Sequence, residues 1–197
     1  MINDLIKCPF CGKRHTIPIQ YGMPTHEAFL NEQAGKIKLG GCIISEDNPS
    51  RYCKDCHKSF GKGFESFRIL EKVFFFIGGF GGDNHFIDIS LESASYSLTY
   101  RHLSSFDGRH NPGIEPIEQK RLLTGIEAAD LHDIIDKLYI CEWARSSIDK
   151  EILDGTQWSL EIKFQGRRTI KKFGSNKYPP YFSELKKAMS KLSEGEF

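Results

Sequence analysis

The chain has 197 residues, of which 39% are hydrophobic, so it can bury the core of one domain or of a small module joined to a medium-sized one. Its 27 basic and 26 acidic residues leave a net charge of +1, which is far from the strongly basic composition of proteins that bind nucleic acids through charge alone. The sequence has no run of about 18 apolar residues and no apolar signal segment after Met1, so we expect a cytoplasmic protein without membrane contact.

Residues 1–64 are predicted to form a module of their own, bounded by two pairs of cysteines. Between the pairs, Thr25 is expected to cap a short helix that runs to Ala34 and ends at Gly35. The segment 36–39 then alternates between polar and apolar residues like a strand. The module is therefore expected to contain an inserted helix and strand between its two cysteine pairs.

The second part, residues 65–197, is predicted to form an α+β domain. Its strands alternate with a period of two, and its helices carry apolar residues at helical spacing. The predicted elements are strands at 71–80, 86–91 and 96–100, a loop at 103–120, a helix that starts with a capping box at Thr124, a hairpin of 157–164 with 168–173, and a helix from Pro179 to about Leu192. Short connections favour antiparallel pairing, so we expect one antiparallel sheet with both helices on one face.

The two cysteine pairs have the spacing of metal ligands. Cys8 and Cys11 form one Cys-x-x-Cys turn, and Cys53 and Cys56 form another. Each turn can direct two thiolates to one point, and two turns together complete a tetrahedron around Zn²⁺. The sequence therefore predicts that these four cysteines hold a metal ion; two reduced thiol pairs packed as small apolar groups are the alternative.

The turns resemble the knuckles of the zinc-ribbon superfamily, which share the geometry of rubredoxin. The resemblance covers roughly the first 60 residues and implies four-thiolate metal binding without implying a function. In a knuckle of this kind a small residue follows the second cysteine. Gly12 agrees with this pattern in the first knuckle, whereas His57 departs from it in the second. The 41 residues between Cys11 and Cys53 exceed the spacing of compact sites, which indicates an insertion.

A structural zinc is the predicted cofactor. Four cysteines fill the coordination sphere and leave no position for a reactive water, so no catalytic residue is assigned and an enzyme is not favoured. Iron fits the same ligands, and the spacing does not separate the two metals. A redox role for the pair Cys53 and Cys56 is a weaker hypothesis, because no βαβ pattern surrounds these residues.

The C-terminal part resembles a pattern that recurs in bacterial proteins of unknown function. The residues that carry this resemblance are Asp154-Gly155, Trp158, Gly174, Asn176, Tyr178-Pro179 and the helix that follows. A second bacterial module is similar to the stretches Ile19-Gln20-Tyr21-Gly22 and Leu39-Gly40-Gly41-Cys42 together with the second knuckle. These resemblances imply a bacterial origin and bring no activity; we interpret the residues as architectural.

Charged residues are unevenly distributed along the chain, and the distribution indicates which kinds of partner the protein could bind. Residues 157–197 carry nine basic and four acidic residues, whereas residues 65–156 carry nine basic and sixteen acidic ones. The basic end could follow phosphates, with Tyr178 and Tyr181 as stacking groups, or meet an acidic protein surface, including that of a second copy. The leading hypothesis is accordingly a zinc-stabilised interaction module with a protein or nucleic-acid partner.

The alternative hypothesis is a metal-dependent nucleic-acid enzyme of the HNH kind. Some of these nucleases carry flanking Cys-x-x-Cys pairs, and they need a histidine general base beside an open metal site. The Asp-His motif of that family is missing after Cys11, where Arg14-His15-Thr16 stands instead. His110 lies outside the cysteine pairs. A second, open metal site near His15 or His110 would favour this alternative.

Overall fold

The computed structural model describes residues 6–45, 48–62, 69–79, 82–92, 95–104, 117–152 and 154–197. Within these ranges the chain is an α+β protein with a four-stranded and a seven-stranded sheet. In chain order the elements are β1 (Thr16–Gln20), α1 (His26–Gln33), β2 (Lys38–Leu39), β3 (Pro49–Cys53), β4 (Ser59–Lys62), β5 (Leu70–Gly79), β6 (Asn84–Ser90), β7 (Tyr96–Leu103), β8 (Ile117–Leu123), α2 (Gly125–Lys137), β9 (Ser146–Ile148), β10 (Thr156–Phe164), β11 (Ile170–Ser175) and α3 (Phe182–Ser193), with a 3-10 turn at Ile140–Glu142 between α2 and β9. None of the described helices is both long enough and apolar enough to cross a lipid bilayer.

The small sheet carries the two cysteine pairs. Its strand order is β2-β1-β3-β4; β1 is antiparallel to β3 and parallel to β2. Thr16 pairs with Cys53, so the strand that leaves the first knuckle lies beside the strand that enters the second one. This pairing brings together two segments that are about 40 residues apart in the sequence.

The large sheet has the order β8-β7-β6-β5-β10-β11-β9 and is mixed. The prediction of a purely antiparallel sheet was wrong, because β9 pairs with β11 in parallel. The rule of short connections restricts consecutive strands only. Since β10 lies between β9 and β11 in the chain, β9 can join the far side of β11 in the parallel direction.

One face of the large sheet forms the main core. Alternate residues of the central strands point to this face, as the period of two predicts. Buried residues of α2 and α3, such as Leu131 and Leu185, belong to the same core, so both helices pack against it. Trp158 is 1% exposed and its indole N–H donates to the Lys177 carbonyl, as expected of a structural tryptophan.

Several predicted elements agree with the structure and one does not. Thr25 caps α1, and Thr124 forms a capping box with Glu127 at the start of α2. The segment 103–120 was predicted as a loop, but Leu103 is the last residue of β7 and residues 117–120 are part of β8; residues 105–116 lie outside the described part of the chain. Because β8 is an edge strand whose side chains are mostly exposed, burial imposes no clear alternation on its sequence.

The small sheet is attached to the C-terminal part by specific contacts. The Tyr181 hydroxyl donates to the Lys7 carbonyl at 2.7 Å, and the Lys7 amine forms an ion pair with Glu184. The Gly61 N–H donates to Oε1 of Glu142 at 2.6 Å. The first knuckle is therefore held against the start of α3, and β4 is held against the 3-10 turn.

Candidate metal centre

The first knuckle is a tight turn closed by two backbone hydrogen bonds. The Cys8 N–H donates to the Lys13 carbonyl at 2.8 Å, and the Gly12 N–H donates to the Cys8 carbonyl at 2.9 Å. Gly12 has φ +74°, a left-handed conformation that glycine adopts without steric cost. The turn therefore places Cys8 and Cys11 on the same side, as the Cys-x-x-Cys spacing predicts.

The second knuckle repeats this geometry. The Cys53 N–H donates to the Lys58 carbonyl at 2.9 Å, and the His57 N–H donates to the Cys53 carbonyl at 3.0 Å. His57 takes the place of Gly12 with φ +57°. Its ring Nδ1 lies 2.9 Å from the Tyr52 hydroxyl, so the side chain is held away from the sulfur cluster. His57 is thus a structural part of the turn, and Cys56 completes the second pair.

The two knuckles converge at their sulfur atoms. Sγ of Cys8 lies 3.6 Å from Sγ of Cys56, and Sγ of Cys11 lies 3.6 Å from Sγ of Cys53. All four sulfur atoms lie within 4.8 Å of one another. Zn–S bonds of about 2.3 Å in a tetrahedron separate the sulfurs by about 3.8 Å, whereas a disulfide requires about 2.05 Å. The cluster therefore has the size of a four-thiolate metal site, and the predicted convergence of the knuckles is confirmed.

Burial and hydrogen bonding act on the pKa values of three of the cysteines. Desolvation raises the pKa of Cys8 to about 12 and also raises the pKa of Cys11. Desolvation acts on Cys53 in the same direction, but hydrogen bonds from the backbone of Cys56 and Asp55 outweigh it and lower its pKa. A metal binds cysteine as the thiolate, so metal binding at this centre would release protons.

The sulfur cluster lies over a small apolar core. Cys8 and Cys53 are fully buried together with Phe60, and Tyr139 packs edge-on against Phe60 with the ring centroids 5.1 Å apart. Cys11 is exposed and Cys56 is half-buried. The centre thus has one side against the protein and one side toward the surface, which gives a metal a path of entry.

His15 does not join the sulfur cluster. It lies on the surface, with Nδ1 3.8 Å from Oδ2 of Asp55, and Lys13 approaches the same carboxylate. No third metal-binding side chain is grouped with this pair among the described residues. His110 lies outside the described residues. Among the described residues, His15 therefore belongs to no group that could form the open metal site that would favour the nuclease hypothesis.

Three side chains of the basic C-terminal part, Lys171, Lys172 and Tyr181, make contacts within the chain. Lys172 is buried, and its amine donates to the carbonyls of Cys141 and Trp143. Lys171 forms an ion pair with Glu161 at 2.7 Å. The Tyr181 ring lies between Tyr139 and the Lys7 amine. Each of these three side chains therefore has a partner within the chain.

A second group of metal-binding side chains was missed by the sequence analysis. Asp83, His85 and His102 bring their ligand atoms within 4.8 Å of one another at one end of the large sheet. Spacing along the chain gave no signal, because the two histidines meet across neighbouring strands. Burial, aided by the charge of His102, lowers the pKa of His85.

Comparisons with known protein families, with curated proteins and with solved structures find no match to this chain.

Proposed function

We propose that the chain is a zinc-binding protein in which Cys8, Cys11, Cys53 and Cys56 hold a structural Zn²⁺. The observation that carries this proposal is the convergence of four sulfur atoms at the separation of a zinc tetrahedron. Zinc is favoured over iron for a structural site in a chain of this size. Bound zinc would supply charge compensation for the thiolates and a cross-link between the knuckles.

The effect of the metal on the fold follows from its position. It would join the loop before β1 to the loop after β3, and thus close the four-stranded sheet at one end. Structural zinc sites contribute free energies on the order of 10–16 kcal/mol in small peptides. We therefore propose residues 1–64 as a metal-dependent module and residues 65–197 as a domain that folds around its own core.

The metal proposal is tested by metal content and by substitution. Purified chain should contain zinc by elemental analysis, and Cys11→Ser should contain one equivalent less than the unsubstituted chain. Cys42→Ser is the matched control, because Cys42 is exposed and lies away from the cluster. A Cys11→Ser variant with the same zinc content as the unsubstituted chain would refute the assignment, and iron in place of zinc would correct the identity of the metal.

We further propose that the module binds a protein partner. The segment between the knuckles leaves large apolar side chains exposed, including Phe29, Leu30, Ile43 and Ile44. Exposed apolar groups of this kind are typical of protein contact sites when they lie close together. The basic hairpin is partly buried or paired, which weakens the case for a nucleic-acid partner. We also propose that the protein is cytoplasmic and that the partner is either a different protein or a second copy of this chain.

Partner class is tested with two surface variants. The double substitution Phe29→Ser with Leu30→Ser should abolish capture of the partner from an extract of the source cell and leave the zinc content unchanged. Leu122→Ser is the control, because Leu122 is even more exposed than Phe29 and Leu30 but lies on β8. Self-association by sedimentation would identify the partner as a second copy. Salt-dependent binding of an oligonucleotide would instead overturn the choice of a protein.

A further inference from the structure

Asp83, His85 and His102 lie together at the end of β6 and β7. His85 is paired with His102 across the antiparallel strands, so both rings point to the core side of the sheet. The rings are parallel to within 7°, with centroids 4.7 Å apart. Asp83 precedes β6 and turns its carboxylate toward the pair. This arrangement joins two imidazoles and one carboxylate, the ligand types that divalent transition metals use.

The separation of Asp83 and His102 fits a shared ion better than a hydrogen bond. Oδ2 of Asp83 lies 3.4 Å from Nε2 of His102. N–H···O hydrogen bonds are ordinarily 2.7–3.2 Å long. Two ligands that each lie about 2.1 Å from a tetrahedral ion are about 3.4 Å apart. Nε2 of His102 is buried and, among the described residues, has no hydrogen-bond partner.

Tyr100 fixes the orientation of His85. Its hydroxyl lies 2.8 Å from Nδ1 of His85, and both groups are buried. When Nδ1 carries the proton and donates to Tyr100, Nε2 keeps its lone pair for a metal. Ligand histidines in metal sites usually make such a hydrogen bond through the other ring nitrogen. The site therefore has an outer partner as well as three ligands.

We propose that Asp83, His85 and His102 form a second metal site, which binds one divalent ion of the Zn²⁺ or Co²⁺ class. Three protein ligands leave at least one position for water or a ligand atom of a small molecule. A cavity of about 360 Å³ adjoins the cluster and is lined by Gly79, Thr156 and Lys186 among others. The Lys186 amine would favour an anionic group in that position.

Cobalt titration of the tag-free chain tests the site. We expect two equivalents of Co²⁺, one with thiolate-to-cobalt charge-transfer absorption and one without it. Asp83→Asn and His102→Gln should each weaken the second equivalent at least 10-fold and leave the thiolate absorption unchanged. His26→Ala is the control, since His26 is exposed on α1. The readout separates the two sites, because only the cysteine centre gives the charge-transfer band.

Two results would overturn the second site. One is a single bound equivalent with the thiolate absorption; the other is a second equivalent that persists in both variants. Tyr100→Phe tests the positioning role and should weaken the second equivalent by about 10- to 100-fold. Thermal unfolding of the metal-free variant, measured alongside, separates this effect from a loss of packing. Unchanged cobalt affinity in Tyr100→Phe would refute the role given to its hydroxyl.

Discussion

At residue 57 the second knuckle adopts a left-handed backbone conformation that glycine provides in the first knuckle. His57 has φ +57°, and Gly12 has φ +74° at the equivalent position. A left-handed conformation costs a residue with a Cβ atom roughly 1 kcal/mol or more. His57 adopts this conformation in spite of the cost, and its ring contacts the Tyr52 hydroxyl. This contact is the structural explanation for a histidine in place of glycine.

Substitutions at the two knuckles should reveal this cost. His57→Gly and His57→Ala both remove the contact with Tyr52, but only alanine keeps a Cβ atom. We expect His57→Ala to have a free energy of unfolding about 1 kcal/mol below that of His57→Gly in denaturant titration of the zinc-loaded chain. Gly12→Ala should likewise lower the free energy of unfolding, because it adds a Cβ atom at a left-handed position. Equal stabilities of the two His57 variants would contradict the argument.

Loss of the charge at two neighbouring lysines should change the free energy of unfolding by different amounts. Lys172 is 7% exposed, and its amine donates to the carbonyls of Cys141 and Trp143, whereas Lys171 is exposed and paired with Glu161. Lys172→Met leaves buried carbonyls without their donor and should lower the free energy of unfolding by about 1–3 kcal/mol. Lys171→Met should change it by less than about 1 kcal/mol. Chemical denaturation of both variants measures the difference.

At the scale of the element, the start of α2 contains a charge-dependent cap. Hydrogen bonds from Arg121, and then from the backbone and side chain of Thr124, lower the pKa of Glu127 to about 2. An unfolded glutamate titrates near pH ~4.3. Because the folded pKa is the lower one, the cap is complete above pH ~4.3, and its contribution is lost as the pH falls toward about 2.

A titration of the Glu127 carboxyl carbon by NMR checks the cap. The midpoint should lie well below that of an exposed glutamate, and Arg121→Gln should raise it more than Thr124→Ala. Amide exchange in the first turn of α2 should increase over the same pH range. A midpoint near ~4.3 in the unsubstituted chain would show that Glu127 makes no cap in solution.

Elements with local signals could be predicted, and elements defined by their neighbours could not. The capping box at Thr124 and the alternation in β5, β6 and β7 are local patterns, and the sequence analysis found them. β8 and β9 have no such pattern, because they are short or mostly exposed edge strands. Only the pairing of β9 with β11 defines β9 as a strand.

At the scale of the whole molecule, the proposed division near residue 64 has a measurable consequence. Cys11→Ser, or removal of zinc by a chelator, should raise amide exchange across residues 6–45 and 48–62. The central strands β5, β6 and β10 and the helix α3 should keep their protection, because their core does not include the four cysteines of the metal centre. Cys42→Ser should change neither part.

Contacts between the two parts bear on whether these parts unfold separately or together. The hydrogen bonds of Tyr181 with Lys7 and of Glu142 with Gly61 connect the module to the domain. If the chain unfolds in one cooperative step when zinc is removed, the two parts form one unit and the division is wrong. Hydrogen exchange read at single residues distinguishes the two outcomes.

The sequence alone indicated the four candidate ligands, because each Cys-x-x-Cys turn is a local motif whose spacing directs both sulfurs to one side; the pairing of β1 with β3 then brings the two turns together. The sequence also determined the α+β class, since periodicity is a property of consecutive residues. Only the tertiary structure decided the parallel edge of the large sheet and the meeting of His85 with His102. Those contacts depend on strand register, and register is set by the packing of the whole sheet.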